Sequence, residues 1–207
     1  MCKMMNFLLA LLLLITTIPL WLFLYILVKT TSKGPFIFRQ KRLGKDRKMF
    51  TMYKIRTMVE GAERLKKKYA YLNEIDGPTF KIKNDPRFTK IGRLISHTGI
   101  DELPQLINVL KGEMSLVGPR PLPVNEALKV PKKYGGRFSV LPGMTSLWVV
   151  KGAHRLGFNT WMQLDIEYLK KKSLLQDLLI LSQTTFFIIK LVMKKMLHTQ
   201  DRSIIQE

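Results

Sequence analysis

The first apolar stretch of the chain is continuous rather than periodic. From Met4 to Val28 no side chain is charged over 25 positions. That exceeds the roughly 20 residues a helix needs to cross the hydrocarbon of a bilayer. It is too long for a signal peptide, and no small-x-small cleavage site follows it. Pro19 lies near its middle. A proline there removes a backbone donor and crowds the preceding turn, so a bend is predicted. Thr16 and Thr17 stand just before it and offer hydroxyls to carbonyls left free. Two paths fit this pattern: a kinked helix that spans, or one that enters, bends and leaves on the same face.

Beyond this run the pattern is mixed. Residues 50–58, FTMYKIRTM, alternate as a strand, which places Lys54 and Arg56 on one face. Residues 59–75 predict a surface helix dense in Lys and Glu, and 76–90 a loop marked by Gly77-Pro78 and Asp85-Pro86. In 101–111, DELPQLINVLK, residues Leu103, Leu106, Ile107 and Leu110 recur as one helix face. Pro104 fits only a first turn, so this helix is predicted to begin near Asp101, with Gly112 closing it. Residues 141–152 read as a turn and a short extended segment, and Asn159 as the cap of a helix running to about Lys172. From Leu174 to Leu197 the chain is apolar again but carries Asp177, Lys190, Lys194 and Lys195. A helix in the membrane interface, or packed on the domain, is predicted there rather than a second span.

Charge narrows the choice of partner. Lys and Arg number 35 against 15 Asp and Glu in 207 residues, a formal net charge of +20. Nucleic acid, anionic headgroups and phosphorylated substrates are the polyanions to consider. Between Lys29 and Lys48 there are eight basic residues and one acid, Asp46. The positive-inside rule puts that side in the cytoplasm. Each such residue adds about 1 kcal/mol of attraction to anionic lipid. No zinc or RNA-binding motif accompanies the charge, so no nucleic-acid partner is expected. A hydrophobic content of 46% excludes a disordered polar chain. The single cysteine, Cys2, excludes an intrachain disulfide and a cysteine-ligated zinc.

Candidate chemistry is sparse. There is no phosphate-binding G-x-x-x-x-G-K-[ST] loop and no G-x-S-x-G elbow. His97, His154 and His198 have no metal-ligand spacing. The constellation of interest is Asp101-Glu102 at a helix start. Acids there can simply cap the helix and complement its dipole. They also suit phosphoryl chemistry, one as nucleophile and the other holding Mg²⁺ or handling a proton. The helix N-terminus then favours the phosphate oxygens. That second use needs cations, because phosphoryl transfer depends on positioning and charge stabilisation. Lys54, Arg56 and Arg120, the last held between Pro119 and Pro121, are the candidates.

In order, GPFIFRQKRLGKDRKMFTMYKIRTM, GPTFKIKNDPRFTKIGRL, DELPQLINVLKGEMSLVGPRP and LPGMTSLW resemble the bacterial sugar transferases. These are the monotopic polyprenyl-phosphate phosphoglycosyl transferases. The likeness covers about residues 5–190. It implies transfer of a sugar-1-phosphate from a UDP-sugar to undecaprenyl phosphate with release of UMP, the first membrane step of capsule, exopolysaccharide or O-antigen synthesis. It implies an α+β, mainly helical fold. Residues 1–28 would form a re-entrant membrane helix bent at Pro19. Residues 29–198 would form a small catalytic domain with interfacial amphipathic helices, and 199–207 a polar tail. The domain would face the cytoplasm at the inner membrane of a bacterium, among its lipids and the downstream glycosyltransferases.

By the same resemblance Asp101 matches the nucleophile that forms a phospho-aspartate, and Glu102 its partner carboxylate. Both are candidate ligands of Mg²⁺, the family cofactor. Lys54, Arg56, Arg120 and Arg42 are implied to bind substrate phosphates, with Asp85, Arg87 and Arg93 as further candidates. The chain departs from the family pattern at Ser96, usually arginine, and Gly99, usually serine. Those departures motivate a second reading, a member that binds lipid phosphate or scaffolds an assembly without catalysing.

Overall fold

The computed structural model describes residues 1–152 and 157–204 and the side chains up to Leu191 and at Met193. His154 and the His198 side chain lie outside the described residues. The apolar run forms two helices, α1 (Lys3–Thr16) and α2 (Ile18–Thr31), which meet at Thr17 at 58°. The break precedes Pro19, which sits in the first turn of α2, where a missing N–H leaves no carbonyl unpaired. Thr17 Oγ1 donates to the carbonyls of Leu13 (2.7 Å) and Leu14 (3.1 Å), and Thr16 Oγ1 to that of Leu12 (3.0 Å). These hydroxyls thus supply donors to carbonyls near the end of α1.

Both legs of the bent pair return to the same body. Asn6, the one amide of the run, is buried and accepts the N–H of Leu116 at 2.9 Å, while Ala10 packs among Leu106, Val109 and Leu116. On the second leg Leu24 and Val28 pack against Ile55 and Ile95. Between them Leu12, Leu13, Ile15, Ile18, Leu22 and Phe23 stay exposed around the bend.

Next come strands β1 (Ile37–Leu43) and β2 (Met49–Ile55), a hairpin whose turn holds Asp46 and Arg47 at positive φ. The predicted helix over 59–75 is shorter: α3 (Ala62–Lys68), then a 3₁₀ turn at Ala70–Leu72, because Tyr69 leaves helical geometry. The residues 76–90 are loop, as their Gly-Pro and Asp-Pro steps predict, up to Thr89. Helix α4 (Lys90–Thr98) opens on Thr89, whose hydroxyl accepts Gly92 N–H at 2.9 Å, and ends at Gly99 with φ +75°.

The helix expected from Asp101 is in two pieces. Ile100–Glu102 is a 3₁₀ turn, and α5 runs Gln105–Leu110. Pro104 has no N–H to return to Ile100, so Leu103 N–H closes on that carbonyl instead, at 3.2 Å. Gly112, at φ +73°, ends the segment as expected.

Then follow β3 (Ser115–Val117), β4 (Leu122–Pro123), α6 (Val124–Ala127), β5 (Gly143–Thr145), α7 (Leu147–Val150), α8 (Phe158–Lys171) and α9 (Leu174–Ile204). One sheet has the order β2-β1-β4, antiparallel throughout, and β3 pairs with β5 in parallel. Gly157, not Asn159, caps α8, and Asn159 lies inside its first turn.

Asn108 of α5 takes the place of a strand along the outer edge of β2. It is fully buried, its Oδ1 accepts Tyr53 N–H at 3.2 Å, and its Nδ2 donates to the Thr51 carbonyl at 2.8 Å. Polar edge groups of the sheet are thus paired by one side chain.

The fold is mostly helical with a small sheet, as expected. Helix α9 is a single helix that extends into the segment expected as a polar tail. Over Leu174–Leu191 it is long and apolar enough to cross a membrane even with Asp177 and Lys190 present. Only Asp177 and Ile180 of that stretch are buried.

Candidate active site

The 3₁₀ turn between α4 and α5 delivers two consecutive carboxylates to the Lys54 side chain on β2. Glu102 Oε1 accepts from Lys54 Nζ at 2.7 Å and from Arg120 Nη2; its Oε2 accepts from Arg120 Nη1 at 2.9 Å. Arg120 therefore holds Glu102 with both arms of its guanidinium, a geometry that lysine does not reproduce. Asp101 is 4% exposed, and its Oδ2 lies 3.5 Å from Lys54 Nζ.

The two acids are pushed in opposite directions. Burial raises the Glu102 carboxyl, but Arg120 and Lys54 outweigh it and hold the group far below the usual carboxylate range. At Asp101 burial dominates; Lys54 opposes it, the Glu102 charge adds to it, and the carboxyl is raised to about 6. One carboxylate is engaged and fixed in charge, while its neighbour titrates close to neutrality. Divergent environments of this kind separate roles between paired acids.

The cations are held from behind. Arg120 is flanked by Pro119 and Pro121, and its carbonyl accepts from Arg137 Nη2 at 2.6 Å. Arg137 in turn donates from Nε to Asp165 Oδ2 at 3.0 Å, an ion pair 3% and 2% exposed. Arg42 donates from Nη1 to the Pro121 carbonyl at 2.5 Å and from Nε to Gln40 Oε1 at 2.9 Å. Burial, and then the charge of Arg120, lower its guanidinium to about 10. Trp148 is a core residue: it stacks on Trp161 with ring centres 4.9 Å apart, and the Arg120 guanidinium lies 5.9 Å from its ring centre.

The structure brings Lys54, Arg120 and Arg42 together with Asp101 and Glu102. It does not place Lys54 and Arg56 as one pair. β2 ends at Ile55, and Arg56 turns to the end of α2, where Nη2 donates to the carbonyl (2.8 Å) and hydroxyl (2.9 Å) of Ser32. Gly34 makes room for it: a Cβ there would sit 2.1 Å from Arg56 Nη1. Asp85 and Arg87 form a closed buried pair, with Arg87 Nη2 to Asp85 Oδ2 at 2.6 Å and Arg87 Nε to Oδ1 at 2.9 Å. Arg93 reaches the Asp85 carbonyl at 3.5 Å. At φ +75°, Gly99 turns the chain from α4 into the segment that carries Asp101. Sequence pattern singles out neither Asn108, Arg137 nor Asp165, because the β2 edge, the Arg120 carbonyl and the Arg137–Asp165 pair that they serve are joined across 17 to 57 positions.

Among the described residues no three His, Cys, Asp or Glu side chains cluster as a metal cage. Mg²⁺ needs less, because one or two carboxylates suffice when substrate phosphates complete its shell. Asp101 and Glu102 meet that requirement, with Asp101 the more available, since both Glu102 oxygens already accept from cations.

The chain as a whole is similar to known proteins. A family model described as bacterial sugar transferase matches residues 1–191. The chain belongs to that family. Among its relatives, a "Galactosyl transferase CpsE" of Streptococcus agalactiae serotype III (strain NEM316) is 43% identical over 152 residues, 73% of this chain and 34% of that protein. An "Undecaprenyl-phosphate galactose phosphotransferase" of Salmonella typhimurium (strain LT2) is 38% identical over 185 residues, 87% of this chain and 39% of the relative. An "Exopolysaccharide production protein ExoY" of Sinorhizobium fredii (strain NBRC 101917 / NGR234) is 34% identical over 183 residues, 86% of this chain and 81% of the relative. The chain thus spans a little over a third of the first two relatives and about four-fifths of the third.

Proposed function

We propose that this chain is a phosphoglycosyl transferase that moves a sugar-1-phosphate from a UDP-sugar to undecaprenyl phosphate. The observation that carries this reading is the carboxylate pair itself. Glu102 is locked between Lys54 and Arg120, while Asp101 beside it is raised to about 6 and held by no fork. Ionised Asp101 attacks the sugar-bearing phosphorus. The bond from that phosphorus to the bridging oxygen breaks, UMP leaves with the electron pair, and the sugar phosphate stays on Asp101. An oxygen of undecaprenyl phosphate then attacks the same phosphorus and frees the Asp101 carboxylate. Lys54 and Arg120 offset charge on the phosphoryl oxygens, and Arg42 stiffens the loop behind Arg120. Asp101 and Glu102 are the residues that would hold Mg²⁺, which would supply further positive charge beside the phosphates.

The bent helix supports placement at a membrane. Both legs pack on the catalytic body, through Asn6 and Ala10 on one side and Leu24 and Val28 on the other, which supports a reading in which the exposed apolar bend enters the bilayer and returns. Under this reading the body, with the basic stretch Lys29–Lys48, lies on the cytoplasmic face and meets a lipid phosphate and a soluble nucleotide there. Capsule or exopolysaccharide assembly is the process served, as the names of the relatives suggest.

The test is UMP release by the detergent-solubilised full chain with undecaprenyl phosphate, Mg²⁺ and a panel of UDP-sugars. Release with one sugar, lost in Asp101→Asn, is the expected result. Wild-type release undiminished in Asp101→Asn overturns the assigned nucleophile. Folded protein that releases no UMP with any sugar favours the non-catalytic reading, and Ser96→Arg with Gly99→Ser then tests whether the departures are the reason.

A further inference from the structure

Lys81 lies in the loop between α3 and α4, and no function so far involves it. Its backbone is pinned: its N–H donates to Asn73 Oδ1 at 2.8 Å and its carbonyl accepts Glu74 N–H at 2.9 Å. From that fixed point the side chain crosses to the tryptophan pair of the active site. Lys81 Nζ lies 5.4 Å from the ring centre of Trp161, which stacks on Trp148, the ring that faces Arg120. Lys81 and Arg120 thus share one aromatic platform.

The charges around it are otherwise matched. Arg120 and Lys54 have Glu102, Arg137 has Asp165, Arg87 has Asp85, and Lys66 has Glu126. Arg42 has no carboxylate but is hydrogen-bonded to Gln40 and Pro121. Among the described residues Lys81 has neither an ion pair within 4 Å nor a hydrogen-bond acceptor for its ammonium. Glu74, whose charge acts on Lys81, uses Oε1 to accept the N–H of Lys83 at 2.9 Å. A half-buried ammonium next to a like charge is unfavourable. Burial and then Arg120 accordingly depress its pKa. Its contact with Trp161 offsets part of that cost but accepts none of its three N–H donors.

We propose that Lys81 binds a substrate phosphate at the active site, adding a cation from the tryptophan side to the one that Arg120 supplies. The inference rests on the proposed transferase function, which brings a diphosphate and a lipid phosphate to this place. Either phosphate has the chemistry to satisfy the ammonium: a dense negative charge with several acceptor oxygens.

Isothermal titration of the full chain in detergent tests this, with UDP, uridine and undecaprenyl phosphate as the three probes. The variants are Lys81→Met and Lys81→Arg, with Lys81→Gln in reserve should Lys81→Met fail to fold. Loss of one charge-assisted hydrogen bond weakens binding roughly 10- to 100-fold. Lys81→Met is expected to show that loss for UDP or for undecaprenyl phosphate, with uridine unchanged and the loss recovered in Lys81→Arg. A loss confined to UDP assigns Lys81 to the nucleotide phosphates, and one confined to undecaprenyl phosphate assigns it to the lipid. Wild-type affinity of folded Lys81→Met for both phosphates overturns the proposal and leaves the transferase reading standing. Equal weakening of UDP and uridine also overturns it, because that marks a structural role. A wild-type chain that binds neither UDP nor undecaprenyl phosphate overturns the parent reading and this one together.

Discussion

Arg137 Nη2 donates to the carbonyl of Arg120 at 2.6 Å while its Nε holds Asp165 at 3.0 Å. One buried arginine thereby joins α8 to the loop that presents Arg120 to Glu102. The aim of the guanidinium that faces the carboxylate pair depends on an ion pair outside the site.

Arg137→Ala leaves Asp165 buried without its partner. Removing one member of a buried pair costs about 3–5 kcal/mol. That loss is expected in chemical denaturation of the detergent-solubilised chain, along with reduced UMP release as the Arg120 loop loosens. The double variant Arg137→Met/Asp165→Leu is expected to be more stable than Arg137→Ala, since it leaves no unpaired charge. A double variant less stable than the single one contradicts this account.

Arg120→Lys keeps the charge and removes the two-armed grip on Glu102. Because a hydrogen bond to a charged group contributes about 1.5–3 kcal/mol, UMP release should fall roughly 10- to 100-fold. Unchanged turnover in Arg120→Lys would show that the fork is not needed.

Acid dependence follows from the two raised carboxyls. Asp101 and Asp165 both stand at about 6, above the ordinary aspartate value of 3.8. Between those values the folded chain binds more protons than the unfolded chain, so their contribution to stability falls as pH rises through that window. Glu102, depressed below its ordinary 4.5, acts in the opposite sense only below that value. Asp101→Asn is expected to flatten the decline in Tm between about pH 4 and pH 6 without lowering Tm at pH 7, because it removes a charge that burial disfavours. Under the proposed mechanism activity runs the other way: the ionised carboxylate is the attacking form, and UMP release should rise as pH climbs through about 6. An identical Tm–pH curve for wild type and Asp101→Asn would refute the assignment of that slope.

Membrane topology has a native reporter. Cys2 is the single cysteine and is exposed. If the bent pair enters and leaves on one face, an impermeant maleimide labels Cys2 in inverted vesicles and not in intact cells. Lys33→Cys in a Cys2→Ser background, at the other end of the pair, should label from that same side. Labelling of the two positions from opposite sides would establish a spanning helix.

Much of the site is legible in local sequence, and the reasons are local too. Asp101 and Glu102 are adjacent, so the pair is visible in the chain, although it takes the 3₁₀ turn at Ile100–Glu102 to bring both to Lys54. Pro119 and Pro121 restrict Arg120 whatever its surroundings. The apolar run, with Pro19 and its threonines, encodes two helices and a break, although the break falls at Thr17. Alternation along β2 identified its strand but not its end: Arg56 lies one residue beyond Ile55 and follows Ser32 instead of Lys54.

Sequence by itself carried the resemblance to the family in its motifs, and it determined the uncharged apolar run, the carboxylate pair and the excess of cations, because each of these is a matter of composition or of neighbours in the chain. Only the tertiary structure decided which cations meet which acids. Lys54 reaches Glu102 across 48 positions and Arg120 across 18, while Arg87 closes on Asp85 two residues away. Those choices depend on packing that no periodicity records: Asn108 on the β2 edge, Arg137 behind Arg120, and Asn6 and Leu24 holding both legs of a bent helix on one body. A buried charge requires a partner, but the fold alone brings the eligible partners within reach.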